Sequence, residues 1–222
     1  MLEVNGISKF YTLGENKIAA LDNVNFKIDD GQFVAITGQS GSGKSTLMNI
    51  LGCLDRASEG KYLIDGKDVS RLSDSALSRI RGRKIGFVFQ NFSLVPTLTA
   101  YENIELPLIY KGYSQKKRRK KVLDALLSVN MSERMNHLPS QLSGGQMQRI
   151  AVARALAGDP SVILADEPTG NLDKQNTNEV MALFKKLNSE GKTVVLVTHS
   201  DSVAKMAKRR INLSFGKIDY DI

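Results

Sequence analysis

Short apolar runs broken by Gly, Asn and Asp fill the first 37 residues or so: LEVNGISKFY, LDNVNFKIDDG and QFVAIT. Runs of that length with turn residues at their ends predict short strands. KYLIDGKDV predicts a further hairpin arm turning at Asp65-Gly66. Three later runs, KIGFVF (84–89), SVILAD (161–166) and KTVVLVT (192–198), are apolar at successive positions and bounded by polar residues. That pattern predicts buried parallel strands. RINLSFGKIDYDI predicts a closing strand pair. Between Phe92 and Asp159 the period becomes helical, and Val122, Leu123, Leu126, Leu127 and Val129 are expected to share one apolar face. The expected architecture is an α/β core carrying a helical insertion. No internal repeat or low-complexity linker interrupts it.

Composition narrows this picture without changing it. The 222 residues are 41% hydrophobic and 24% charged, enough apolar mass for a real core. The single cysteine, Cys53, excludes an internal disulfide or a cysteine zinc site and suggests a reducing compartment. It is expected to be a small buried hydrophobe in the helix after the first glycine loop. No secretion signal is expected, and the longest apolar runs, VVLV and VILA, are too short to span a bilayer. A soluble protein, or one lying on a membrane surface, is expected. The net charge is +8, much of it from Lys116-Lys117-Arg118-Arg119-Lys120-Lys121. A solvated helix face is the plain reading of that run. Attraction to an anionic membrane surface is a functional one. A nucleic-acid patch would want interleaved aromatics, which the run lacks.

Chemistry enters with two glycine-rich helix openings. Gly38-Gln39-Ser40-Gly41-Ser42-Gly43-Lys44-Ser45 fits G-x-x-x-x-G-K-[ST], between the strand candidate FVAIT and the helical STLMNILGCL. Glycines let backbone N–H groups close on phosphate oxygens, and the helix N-terminus adds its positive end. Lys44 is expected to reach the β- and γ-phosphates and Ser45 to ligate Mg²⁺, with Thr46 next to it in the site. VILADE ends a buried strand on two acids. Asp166 is placed to serve Mg²⁺, and Glu167 to polarise the attacking water.

The second opening, Leu142-Ser143-Gly144-Gly145-Gln146, precedes the helical MQRIAVARALAG and says which kind of nucleotide protein this is. With it, the chain resembles the nucleotide-binding subunits of ABC (ATP-binding cassette) transporters over essentially its whole length. GQSGSGKST resembles their Walker A segment, LSGGQ their signature, VILADE Walker B, and NLD (171–173) the D-loop. Gln90 resembles the Q-loop glutamine and His199 the switch histidine. The resemblance implies one nucleotide-binding domain over 1–222, an α/β P-loop NTPase fold. Its parts would be a RecA-like parallel core, an N-terminal antiparallel β subdomain and a helical subdomain over about 92–159. It implies that Tyr11 stacks on adenine, that His199 touches the γ-phosphate, and that Gln90 senses metal and water. Two copies would face head to tail, with Ser143, Gly144, Gly145 and Gln146 of one closing on the ATP held by the other. Asp173 would link the two sites. His137 reads as a loop residue.

The resemblance also implies partners: a second copy, an integral membrane permease at the cytoplasmic face, and in some systems an extracytoplasmic adaptor. No added regulatory domain is expected after His199. NILGCLDRASEGKYLIDG, VPTLTAYENIELPL and DEPTGNLD resemble the branch that includes the ATPases of macrolide exporters, of lipoprotein-release systems, of the cell-division FtsE type and of antimicrobial-peptide resistance pumps. Met147 departs from the glutamine common after the signature. An amino-acid or metal importer subunit shares every catalytic motif and is the alternative within transport. A nucleic-acid-associated ATPase is the alternative outside it. The absence of heptad runs and of zinc cysteines speaks against that class, and no nucleic-acid partner is expected.

Overall fold

The computed structural model describes residues 1–14 and 16–222. Their regular elements are two sheets, seven α-helices and two single-turn 3-10 helices. Strand β1 (Leu2–Leu13) pairs antiparallel with β2 (Asn16–Ile28) on one side and β4 (Glu59–Ile64) on the other. The short β5 (Lys67–Asp68) completes a four-stranded sheet in the order β2-β1-β4-β5. The β4–β5 turn is at Asp65 and Gly66, with φ of 51° and 74°, as the Asp-Gly pair predicts.

The larger sheet joins β3 (Phe33–Thr37), β6 (Ile85–Phe89), β7 (Val162–Asp166), β8 (Thr193–Val197), β9 (Arg209–Ser214) and β10 (Lys217–Asp221). Its order is β10-β9-β3-β8-β7-β6. All but the antiparallel edge strand β10 run parallel. Both faces are covered, which is why these strands read as unbroken apolar runs. Val34, Ile36, Leu164 and Val195 pack with the antiparallel sheet and α1 (Lys44–Leu51). Phe33, Ile163, Ala165, Val194 and Leu196 face the other way, onto α6 (Lys174–Ser189) and α5 (Gly144–Ala157). Remaining helices are α2 (Asp74–Lys84), α3 (Ala100–Tyr110), α4 (Gln115–Ser128) and the one-turn α7 (Asp201–Ala204).

The apolar layer beneath the parallel sheet continues into the helical block, where Ile104 and Leu108 of α3 meet Leu126 of α4 and Ile150 of α5. Buried Asn103 shapes the entry to this block. Its side chain accepts from Val95 N (2.7 Å) and donates to the carbonyls of Val95, Leu98 and Thr99 (3.2, 2.9 and 3.0 Å). A buried amide so fully satisfied fixes the chain around it.

Three expectations need correction. Leu123 and Leu127 do not share the buried face of α4: that face is Val122, Ala125, Leu126 and Val129, and Leu127 is 69% exposed. A 100° step per residue puts 123 and 127 opposite the stripe that α3 and α5 cover. Cys53 is buried as expected, but past the end of α1, in a turn where its φ is 54°. Lys84 closes α2 rather than opening β6.

Candidate nucleotide site

Parallel strands deliver the site, at their carboxyl ends. Asp166 stands in register with Phe89 on one side and Val197 on the other. Gln90, Glu167 and Thr198–His199 therefore leave neighbouring strand tips, and the glycine loop leaves β3, beside β8 and two strands from β7. Ligands of open parallel sheets bind at this edge.

The loop from Gly38 to Gly43 turns back on itself with φ of 148°, 79° and 101° at Gly38, Gly41 and Gly43. Gly43 caps α1 in a left-handed conformation, so Lys44, Ser45 and Thr46 form the helix's first turn. The Lys44 ammonium donates to the carbonyls of Gly38 (2.8 Å) and Gln39 (2.7 Å). It lies folded over its own loop, where phosphate oxygens would replace those carbonyls. Ser42 is buried, and its hydroxyl has no hydrogen-bond partner within the protein.

Ser40, Gly41, Gly43, Lys44, Ser45, Thr46, Asp166, Glu167 and His199 line one cleft of about 350 Å³, with Ala20 of β2 and Val197. That volume is at the lower end for small-ligand sites. Glu167 sits at φ 44° and is the best-held acid in it. Its carboxylate accepts from Thr198 Oγ1 (3.0 Å) and His199 N (2.7 Å), and lies 2.7 Å from His199 Nδ1. Nδ1 thus engaged leaves Nε2 as the histidine's free nitrogen, on a ring that is mostly exposed. Burial and then the charge of Glu167 push the Asp166 carboxyl above its usual range, with Lys44 opposing. The ionised form is thus costly in the folded chain. The cost is full at neutral pH and is relieved as pH falls through the raised value. Asp166→Asn is therefore expected to raise the melting temperature of the nucleotide-free protein at pH 7, with a smaller gain at acid pH, read by differential scanning fluorimetry.

A hydroxyl and a strained carboxylate converging on one cleft suit a small hard cation such as Mg²⁺, which takes few protein ligands and completes its shell with water and phosphate. Ser45 and Asp166 fit that role. Gln90 does not line the cleft; its side-chain amide lies against Gly170, and its backbone carbonyl accepts from Asn171 Nδ2 (3.3 Å). Tyr11 is also outside the cleft. It donates to Asp55 Oδ2 (3.2 Å), and Lys9 lies 5.2 Å from its ring centroid. Its β-partner Ile18 places it two positions from cleft-lining Ala20, on the same hairpin.

The second glycine opening has a local and a tertiary cause. Ser143 caps α5: its Oγ accepts from Gln146 N (3.3 Å), and Gln146 Oε1 accepts from Ser143 N (2.9 Å), the reciprocal box that S-x-x-Q encodes. A Cβ on Gly145 would collide with the Asn176 side chain. Asn176 is held there by Asp173, which caps α6 and accepts from Asn176 N (2.8 Å) and Nδ2 (2.7 Å). No signature residue lines the cleft of the glycine loop.

Sequence reasoning missed Thr198, Asn176 and Arg154. Arg154, on α5, donates to the carbonyls of Phe92 (2.8 Å) and Ser93, two residues after Gln90 whose φ values are 55° and 48°. It pins a strained turn to the helix that carries the signature. Only the left-handed pair would have hinted at it, and neither residue is Gly or Asn. Arg154→Ala is expected to cost about 1–3 kcal/mol, seen as a lower urea midpoint at unchanged slope.

A glycine loop, a lysine and two strand-tip acids at the edge of a parallel sheet define a P-loop nucleoside-triphosphatase. The chain belongs to the ABC transporter family, whose pattern it matches over residues 21–170. It is 52% identical, over 99% of its length and 95% of the relative's, to the ABC transporter ATP-binding protein MJ0796 of Methanocaldococcus jannaschii. It is 47% identical over its whole length to the macrolide export ATP-binding/permease protein MacB of Hyphomonas neptunium, of which it spans 34%. A solved dimer of the MJ0796 cassette in a post-hydrolysis state, bound to ADP and Pi, superposes with a TM-score of 0.91 at 49% identity, covering 100% of this chain and 98% of that one. The fold is the α/β P-loop cassette fold, and the protein is an ATP-binding ATPase. Among the described residues no helix is long and apolar enough to cross a membrane.

Proposed function

We propose that this chain, a single nucleotide-binding domain over 1–222 with a helical subdomain over about 92–159, powers a separate membrane permease by ATP-driven closure of a homodimer. The system is of the export or mechanical-coupling type, at the cytoplasmic face of the membrane. The observation that carries the reading is the separation of the two glycine-rich helix openings. Each is built for phosphate, yet the signature lies outside the cleft of its own chain. A second copy facing the first would bring them together, and the dimer reported for MJ0796 supports this. MacB, which joins an ATP-binding part to a permease in one protein, supports the permease and the export branch.

Backbone N–H groups from Ser40 to Thr46 and the α1 terminus cradle the phosphates, and Lys44 leaves the Gly38 and Gln39 carbonyls for them. Ser45 and Asp166 hold Mg²⁺, which neutralises phosphate charge when bound, and Gln90 completes the sensing of that site. Glu167 polarises the attacking water, and His199 Nε2 contacts the γ-phosphate. Tyr11 stacks on adenine from the hairpin that carries Ala20. Ser143, Gly144, Gly145 and Gln146 close on the partner's ATP with a second helix N-terminus, and Asp173 links the sites through Asn176. Hydrolysis removes the charge that holds the two copies together.

The permease contact is expected over NFSLVPTLTAYEN. Leu98 is the cleaner probe there, because Glu102 is committed to the cap of α3, accepting from Thr99 N at 2.8 Å. Leu98→Trp should abolish permease-stimulated turnover and leave nucleotide binding alone. Affinity purification from gently solubilised membranes, with mass identification, tests the whole reading. A permease with few membrane spans and a large external domain is the expected partner. A many-helix permease with a binding protein would make it an importer subunit. Recovery with ribosomes or DNA would overturn the transporter reading.

A further inference from the structure

The exposed leucines of α4 share a face with the basic run. Lys116, Lys120, Leu123 and Leu127 are spaced by four, three and four residues, one stripe along a helix, and all four are exposed. Arg119 flanks the stripe. The opposite face is the buried one, with Val122, Ala125 and Leu126. Within the run, Arg118 is turned inward to Glu105 at 2.8 Å, the only ion pair the run makes among the described residues. Lys117 and Lys121 lie 4.3 and 5.7 Å from the ring centroid of Tyr113. Tyr110, 84% exposed at the end of α3, stands four residues before the helix N-cap Ser114.

We propose that the outer face of α4 lies on an anionic lipid surface, with Lys116, Arg119 and Lys120 at headgroup phosphates and Leu123 and Leu127 entering the interface. Charge decides between occupants. Lys116, Arg119 and Lys120 make no ion pair among the described residues, and Asp124 is the single acid of α4; this excess of cations calls for a polyanion and repels a second copy of a chain already at +8. Between polyanions, apolar side chains decide. A solvated nucleic-acid strand offers bases to aromatic platforms, and this stripe carries leucines instead. A bilayer surface offers phosphates next to hydrocarbon, which cations beside leucines match. The contact needs no permease, so it stands or falls separately from the transport reading.

Co-sedimentation of the purified full chain with vesicles tests it. Phosphatidylcholine vesicles containing about one-third phosphatidylglycerol should bind roughly tenfold or more tightly than phosphatidylcholine alone at ~0.1 M salt, and should release the protein at ~0.5 M. The double charge reversal Lys116→Glu/Lys120→Glu should lower that binding roughly tenfold, and Leu127→Ser should lower it at fixed charge. Both variants should keep the ATPase rate measured without lipid, since none of these positions lines the cleft and all lie on an exposed face. Equal binding to the two vesicle types, or undiminished binding by the charge-reversal variant, would overturn the assignment. So would tight binding to poly(A) RNA with vesicles left unbound, which would give the face to nucleic acid.

Discussion

Glu167→Gln is expected to bind ATP like the parent and to lose hydrolysis by a factor on the order of 10²–10⁴. The amide is isosteric: its oxygen can keep the bond from His199 N that Oε1 now accepts at 2.7 Å, and its NH2 takes the place of Oε2, where it can donate to Thr198 Oγ1, now 3.0 Å away. What disappears is the negative charge that draws a proton from water. Nothing in the glycine loop changes, so affinity for ATP is retained. The charge next to Asp166 also goes, which relieves the repulsion that raises its carboxyl. With the chemical step blocked and binding intact, the closed dimer should accumulate. Phosphate release measured beside size-exclusion chromatography in Mg²⁺ and ATP checks both halves. Turnover near the parent's would remove Glu167 from its role, whereas loss of both turnover and ATP binding would make it structural.

Gly38→Ala is expected to have the largest effect on the fold and on binding together. The φ of 148° belongs to glycine, and a Cβ there would enter the Leu213 carbonyl and come within 2.6 Å of Ser42 Oγ. The carbonyl belongs to β9, fixed between β3 and β10, so the loop must give way instead. The expected cost is about 3 kcal/mol or more, a fall of roughly 6–12 °C in melting temperature, with ATP binding lost because the cradle opens. Gly41→Ala is the control. Its φ of 79° is also positive, though nearer the left-handed region that alanine can adopt, and nothing lies within 4 Å of the added Cβ. It should cost only about 1–2 kcal/mol. Equal losses from both changes would show that backbone angle, not the approach of β9, accounts for the Gly38 effect.

Much of the site is legible in the sequence because its chemistry is local. The glycine loop must follow a strand and open a helix, and each part is adjacent along the chain. Burial on two faces writes itself as unbroken apolar runs, so β3, β6, β7 and β8 can be read directly. The S-x-x-Q box at Ser143 is a four-residue signal. On α4 the count of apolar residues suggests a wide face that packing then divides. Periodicity gives the presence of a stripe, but which of two neighbouring leucines is covered depends on where α3 and α5 lie.

Residue order and spacing are enough to establish the two phosphate-type helix openings, the acids at a strand tip and the family that combines them. Backbone geometry and short-range hydrogen bonding require particular residues at fixed offsets. Long-range packing alone brings His199 to Glu167, 32 residues away, because the sheet order puts β8 beside β7. It also sets Gly38 against Leu213, ties Arg154 to Phe92 and Ser93, and keeps the signature clear of the cleft in its own chain. These depend on contacts between segments far apart in the chain, which form when strands cross over out of sequential order and a helical block packs against their common core. No spacing along the chain encodes such a distance.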